Sequence, residues 1–266
     1  MLKTKHLLTC AVGIATLCGC ASQYNIDGNS SIAGIDGQKM YLRMLNPDGS
    51  TQTVSLDSCV VVHGTFYFGG AVDSVAMVEV YMGNNPMMPV VLENGSMFIQ
   101  MDNAAQSVSG GPLNERLNQF LVKHGRYENE LWDLNRRARN MLLYEGKTID
   151  QIIASIDPIK NTLVEQMKAL EVQFIKDNYD NVLGPGYFVR MCSNAIGMPA
   201  VHDEIMDILV HAPEQFLQHP GVKNYLFMAG VTPSAIRERR AALNIQAPDS
   251  LRSRAVEKRT KAKAKK

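Results

Sequence analysis

Cysteines, long apolar runs and net charge are all scarce in this sequence. Its 266 residues include five cysteines, and the formal net charge at pH 7 is +1. So few cysteines exclude a small scaffold held together by many disulfides, and the small net charge excludes a uniformly basic nucleic-acid binder. The apolar stretch at residues 7–17 is too short to cross a bilayer of roughly 30 Å, and nothing in the composition indicates a polytopic membrane protein. With 45% hydrophobic and 20% charged residues, the composition is globular.

The first twenty residues indicate a location. Lys3 and Lys5 precede the apolar stretch, which ends in Leu17-Cys18-Gly19-Cys20. This ending resembles a bacterial lipoprotein signal, in which a small residue stands before the cysteine that becomes the new N-terminus. The resemblance implies cleavage of residues 1–19, acylation of Cys20 with diacylglycerol and palmitate, and a lipid anchor in the cell envelope. The outer membrane, on its periplasmic face, is the favoured site. A secretory signal cut elsewhere, or a core segment, is the alternative.

Cys59 and Cys192 are the thiols that remain after this processing. They lie far apart in sequence and form no Cys-x-x-Cys motif, so a redox pair of the thioredoxin type is not expected. In an oxidising periplasm they can bridge, provided that their α-carbons approach within about 7 Å. Burial of both as small apolar side chains is the favoured interpretation.

Residues 24–109 contain short segments in which apolar and polar residues alternate, separated by turn signals. Such alternation predicts strands that bury one face, and turns every few residues predict an antiparallel β-sandwich or barrel. Asn94-Gly95 has the composition of a two-residue hairpin turn. The predicted inward-facing residues are Met40, Leu42, Met44, Phe66, Phe68, Val78, Val80, Met82, Met97, Ile99 and Met101.

From Pro112 onward the apolar period changes to alternating steps of three and four, which predicts a long helix ended by Gly146. A second helix is expected to begin at Thr148, where Gln151 completes a capping box. Asp157-Pro158 predicts an interruption and a fresh start, and Gly184-Pro185-Gly186 predicts the end. The first helix's seam comprises Leu113, Leu117, Phe120, His124, Tyr127, Leu131, Leu134, Ala138 and Met141.

The two helices, joined by a short connection, are expected to form an antiparallel α-helical hairpin. Further short helices should follow, with prolines 199, 213 and 233 near their starts and Thr232 as the last cap. The predicted fold class is therefore α+β. Its parts are a signal peptide at 1–19, a β-rich domain at 20–111, a helical domain at 112–245 and a basic disordered tail at 246–266.

Several short segments carry a family resemblance through their order and spacing. They are Tyr24-Asn25-Ile26-Asp27-Gly28, residues 36–42, Asp57-Ser58-Cys59, residues 64–70, Glu93-Asn94-Gly95, residues 108–114, and Phe174-Ile175 with Asn178, Asn181 and Gly184. Over roughly residues 24–188, the chain thus resembles a domain of unknown function, with its exit into a helical hairpin, found at the start of many envelope lipoproteins of Bacteroidota. In many relatives this module precedes a thioredoxin-like domain and the proteins are called thiol:disulfide interchange proteins. No cysteine pair remains here to carry that activity, so the resemblance implies the front module alone.

No catalytic constellation emerges from the motifs. His202, His211 and His219 lack the spacing of a metal site, and neither a metal nor a cofactor is expected. Gly110-Gly111-Pro112 precedes a helix start and can hold an anion, although a simple turn is favoured. Met87 and Met88 stand between Pro86 and Pro89 and suggest an adaptable contact loop.

The C-terminal tail carries eight basic residues against one acid, Glu257. Such a cluster either binds an anionic surface or only keeps the chain soluble; nucleic acid is not an expected partner. The sequence thus predicts a membrane-anchored, non-catalytic binding or scaffold module with a protein or envelope-polymer partner. An accessory thiol protein, working beside a separate thiol:disulfide oxidoreductase, is the alternative. The basic residues are Arg252, Arg254, Lys258, Arg259, Lys261, Lys263, Lys265 and Lys266.

Overall fold

A computed structural model describes residues 22–45, 53–103, 105–193 and 203–245 of the chain. Several predictions fall outside the described residues: the signal peptide, the lipidation residue Cys20, the helix start at Pro199, His202 and the eight basic residues of the tail. Among the helices that the structure does describe, none combines the length and the apolar character that a membrane crossing requires.

Eight strands of the described chain form two four-stranded sheets, with strand orders β4-β1-β7-β8 and β3-β2-β5-β6. Every pairing is antiparallel except that of β1 with β7, which is parallel. The strands are β1 (Ser22–Ser30), β2 (Lys39–Leu45), β3 (Thr53–Val60), β4 (Thr65–Val72), β5 (Ala76–Met82), β6 (Asn85–Leu92), β7 (Gly95–Met101) and β8 (Gln106–Ser109).

The sandwich-like α+β architecture is confirmed, and so is most of the predicted inward face. Met40 and Leu42 of β2, Phe68 of β4, and Ile99 of β7 are all buried. Their neighbours on each strand point the other way because side chains alternate across a pleated strand. Met44 and Met82 are partly buried against the same core.

The predicted hairpin turn at Asn94-Gly95 is wrong. The strands on either side, β6 and β7, belong to different sheets, so this segment is a crossover between sheets. The reason is the strand pairing: β7 pairs with β1, an inner strand of its sheet, and with β8, while β6 pairs with β5 in the other sheet. The Asn94 side chain instead accepts a hydrogen bond from the backbone N–H of Gln23.

Seven helices follow in the described chain, beginning with the predicted hairpin of α1 and α2. The α2 capping box is present, since the Thr148 hydroxyl accepts from the Gln151 N–H and the Gln151 side chain accepts from the Thr148 N–H. The helices are α1 (Pro112–Leu143), α2 (Ile149–Asp177), α3 (Leu183–Ser193), α4 (Asp203–His211), α5 (Glu214–Leu217), α6 (Pro220–Met228) and α7 (Pro233–Ala242).

The predicted interruption at Asp157-Pro158 is wrong, whereas the predicted end of the second helix is confirmed to within a few residues, since α2 ends at Asp177 and the Gly-Pro-Gly segment opens the next helix. α2 runs through Pro158 without a break, because Ile156 before it and Leu163 after it are both buried on the same seam. Gly184-Pro185-Gly186 lies in the first turn of α3, where a proline has no intrahelical N–H bond to lose. Gly184 is needed there because a β-carbon would collide with the Asn178 carbonyl oxygen.

A continuous core joins the strands to the helices. Phe120 of α1 stacks on Phe174 of α2 at 4.1 Å between ring centroids, and Tyr187 of α3 meets both rings edge-on. α3 also lies against the second sheet, where Arg190 forms an ion pair with Glu79 of β5. The first half of α1 and the second half of α2 are therefore fixed from several sides.

Candidate functional site

The far half of the helical hairpin, residues 127–163, is held by its seam alone; we call it the distal arm. In this stretch only Met141, Ile156 and Leu163 are buried. Tyr127, Leu131, Leu134 and Ala138 are half-buried, as the predicted seam requires. All other faces of the two helices are open to solvent or only partly covered, which makes this arm the least packed part of the described chain's long helices.

Large apolar side chains are exposed where the arm turns. Tyr144 is 81% exposed, Ile149 65% and Leu143 62%. The seam of α1 ends at Met141, so the residues that follow rotate away from α2 and have no apolar surface to cover them. We call Leu142, Leu143, Tyr144, Ile149 and Ile153 the tip patch. Several large apolar side chains exposed near one turn are typical of an interaction site.

Trp132 adds an aromatic anchor to the same arm. It is 62% exposed, and the guanidinium of Arg136 lies 5.0 Å from the centroid of its ring. Arg136 also forms an ion pair with Asp133 at 2.9 Å. An exposed tryptophan, tyrosine and arginine are the residue types that contribute most energy at the centre of protein interfaces.

A polar cluster lies at the base of the arm, where α1, α2 and α3 meet. Nε2 of His124 lies 2.9 Å from Oε1 of Glu171, and Nδ1 lies 3.5 Å from Oε1 of Glu128. The hydroxyl of Tyr187 donates to the same Glu171 oxygen at 3.3 Å. We call these four residues the root cluster.

The electrostatics of the root cluster favour holding helices together over moving protons. Burial lowers the pKa of His124, but hydrogen bonds to Glu128 and Glu171 and their negative charges outweigh burial and raise it to about 9. Burial, and then the charge of Glu171, raises the pKa of Tyr187. His124 is therefore protonated at pH 7 and cannot act as a base there. The sequence analysis placed His124 on the helix seam but did not predict that Glu128, Glu171 and Tyr187 surround it. The one signal in the sequence was a histidine in an otherwise apolar seam.

The N-terminus of α1 is occupied by the protein's own carboxylate. Glu93 accepts hydrogen bonds from the backbone N–H groups of Leu113 and Asn114, the latter at 2.9 Å. The buried Asn114 amide donates to Glu93 and to the carbonyls of Val91 and Gly110. Glu93 thus fills the place that an external anion at Gly110-Gly111-Pro112 would take.

The predicted contact loop at Met87 and Met88 is wrong. Both residues lie in strand β6, where Met88 is fully buried and Met87 packs partly against the core. The flanking prolines are tolerated because β6 is the edge strand of its sheet, where a missing N–H need not break a ladder bond.

The structure does not join the two cysteines: Cys59 and Cys192 are free thiols, in β3 and α3 respectively. Cys192 is buried, and burial raises the pKa of its thiol to about 12, against a smaller opposing effect of a hydrogen bond with Tyr225. Cys59 is half-buried, and burial also raises its pKa. Neither environment promotes the thiolate form that redox chemistry needs.

Two of the remaining histidines, His211 and His219, serve helix ends, whereas His63 lies in the turn between β3 and β4. Nδ1 of His219 accepts from the N–H of Gly221 at the start of α6, and His211 contacts Asp207 one turn earlier in α4. Within the described ranges, no three side chains of His, Cys, Asp or Glu come together as a metal site would require.

Residues 24–117 match the family model described as a domain of unknown function (DUF4369), which confirms the predicted resemblance for the β-rich part. The match runs from β1 into the first turns of α1 and stops before the distal arm. No curated protein and no solved structure matches the chain significantly.

Proposed function

We propose that this chain is a lipid-anchored protein of the cell envelope that acts as a non-catalytic binding or scaffold module, and that its distal arm docks a partner protein. Acylated Cys20 holds the chain at the membrane, with the outer membrane facing the periplasm as the proposed site. The tip patch is the observation that carries the docking part of this proposal.

The arm is suited to docking by its reach and composition. A helix of 32 residues is roughly 48 Å long, and the residues beyond Tyr127 account for about half of that length. The exposed surface combines Trp132, Tyr144 and Arg136 with aliphatic side chains, which favours a protein partner over a polysaccharide or a lipid surface.

Photo-crosslinking in intact cells tests the docking. We expect p-benzoylphenylalanine in place of Tyr144 to give a protein adduct of discrete mass, and the Leu143→Lys substitution to abolish that adduct without changing the circular dichroism. Lysine is suitable because it is a good helix former and is favoured at a helix C-terminus. The matched control places the crosslinker at Tyr67 of β4, which is 52% exposed. Equal adducts from both positions, or lipid adducts from Tyr144, would contradict a protein-docking arm.

Mass spectrometry of the mature protein tests the anchor separately. The expected N-terminal peptide begins with Cys20 bearing diacylglycerol, and the Cys20→Ala variant should leave the membrane fraction. An unmodified N-terminus at any other residue would remove the anchoring part of the proposal and leave the docking part to its own test.

A further inference from the structure

A groove of about 930 Å³ lies among α5, α6 and α7, away from the distal arm. Its volume is in the range of pockets that hold small organic ligands, roughly 300–1,000 Å³. The wall is mainly apolar and includes the lip residue Phe227, whose side chain is 83% exposed. The apolar lining residues are Leu217, Leu226, Phe227, Val231, Ile236 and Ile245.

The charges in this groove are predominantly positive. Lys223, Arg237 and Arg240 line it, against a single acid, Glu214, which accepts from the Gln218 side chain. The Arg240 side chain is fixed because it donates hydrogen bonds to the carbonyl oxygens of Leu209 and Val210 in α4 and of Ala212 directly after α4.

Lys223 and Arg237 are different. Both side chains line the groove, and neither side chain forms a hydrogen bond or an ion pair with a residue that the structure describes. Glu214 contacts Gln218 and, within the described chain, forms no ion pair with either cation. Two unneutralised cations thus border an apolar groove, an arrangement complementary to a ligand with an acyl chain and a negative head.

We propose that the groove binds a single-chain amphiphile with a carboxylate head, of the fatty-acid type. The acyl chain lies along the apolar wall beside Phe227, and the carboxylate meets Lys223 and Arg237. This inference goes beyond the docking function of the distal arm, which shares no residue with the groove.

The test titrates dansyl-undecanoate, a fluorescent single-chain carboxylate, into the purified full chain carrying Cys20→Ala, so that no acyl chain of the proposed anchor competes. We expect saturable binding at one site per chain. Lys223→Glu and Arg237→Glu should each weaken binding about fivefold. The matched control, Lys160→Glu on the exposed face of α2, makes the same charge change and should leave the affinity unchanged.

Competition separates the two parts of the ligand. Palmitate should displace the probe at a concentration at least about tenfold lower than laurate requires, because it buries more methylene groups. The methyl ester of the probe should bind several-fold more weakly than the acid. An ester that binds as tightly as the acid, or charge reversals that leave the affinity unchanged, would overturn the proposal.

A crosslinker at Phe227 identifies the occupant directly. Adducts between p-benzoylphenylalanine at this position and the fatty acid would support the proposal. Adducts with residues 246–266 of the same chain, which follow the lining residue Ile245, or with a second copy, would show another occupant and overturn it. None of these outcomes depends on whether the distal arm docks a protein.

Discussion

The two halves of the helical hairpin differ sharply in how they are held. Near its root, Leu117, Phe120, Phe174 and Ile175 are buried and pack within the core that also contains the strands. In the distal arm the same two helices bury only Met141, Ile156 and Leu163. The same helical period thus builds a core element at one end and an isolated pair of helices at the other.

This difference has an energetic consequence. Structural units with few buried contacts open locally, at a lower free energy than global unfolding. The root can open only when the sandwich opens, whereas the distal arm can fray while the core stays folded. A surface that adapts to a partner as it docks is therefore better placed on the distal arm than on the root.

The largest effect is expected at the root. Asn114→Ala removes an amide that satisfies the backbone groups of Val91 and the carbonyl of Gly110 inside the core. Since each unsatisfied buried group costs about 1–3 kcal/mol, the free energy of unfolding should fall by about 3 kcal/mol, measured by urea denaturation. Asn118→Ala is the control, because Asn118 accepts one hydrogen bond, from Val108, and should cost about 1 kcal/mol. Equal losses of unfolding free energy in the two variants would mean that the hydrogen bonds of Asn114 do not fix the root.

Pro158→Ala should strengthen the distal arm without affecting the root. The substitution restores the N–H to a helix that runs through this position, so the local opening free energy should rise by about 2 kcal/mol. Hydrogen exchange of amides in residues 156–163 measures it, with those of β7 as the internal reference. Pro233→Ala is the control, since Pro233 lies in the first turn of α7, where no bond is missing. An unchanged opening free energy for residues 156–163 would argue against an α2 that runs through Pro158 without a break.

Sequence reasoning succeeded where a local signal and tertiary packing agree. The period of three and four located the α1 seam, and Thr148 with Gln151 located the start of α2, because both signals depend on neighbours along the helix. The alternation of the strands identified their buried faces for the same reason. No local pattern specifies which strands pair. The strand order in each sheet and the parallel pairing of β1 with β7 depend on contacts between segments that are distant in sequence.

The Asn94-Gly95 turn failed because strand pairing decided the path of the chain. The other failures share a cause: local breaking signals were outweighed by burial. A proline such as Pro158 breaks an isolated helix, yet it lies within α2 here because apolar residues around it pack. Met87 and Met88 look like a loop between two prolines, but an edge strand tolerates them. The root cluster needs three helices to meet, so only the histidine itself was visible in the sequence.

The root cluster should make stability depend on pH. The folded pKa of His124, about 9, lies above its unfolded value near 6.5. Its contribution is therefore complete below pH 6.5 and is lost as the pH rises through 9. After allowance for solvent screening, about 1–2 kcal/mol is expected. His124→Gln should remove this pH dependence in denaturation curves from pH 6 to 10, and Glu171→Gln should reduce it. A mutant curve parallel to that of the wild type would show that the cluster does not hold the root.

The smallest effect lies at the border between root and arm. Gly125 lies inside the continuous helix α1, and a β-carbon built there meets nothing within 4 Å. Gly125→Ala should therefore stabilise the helix by about 0.5–1 kcal/mol, since alanine loses less backbone entropy on folding. Gly184→Ala supplies the opposite control, because its β-carbon would strike the backbone at Asn178. Thermal melts distinguish the two signs. A lower melting temperature for Gly125→Ala would contradict this prediction. It would mean that the arm requires the flexibility of glycine at this position, and the border between root and arm would then lie at Gly125.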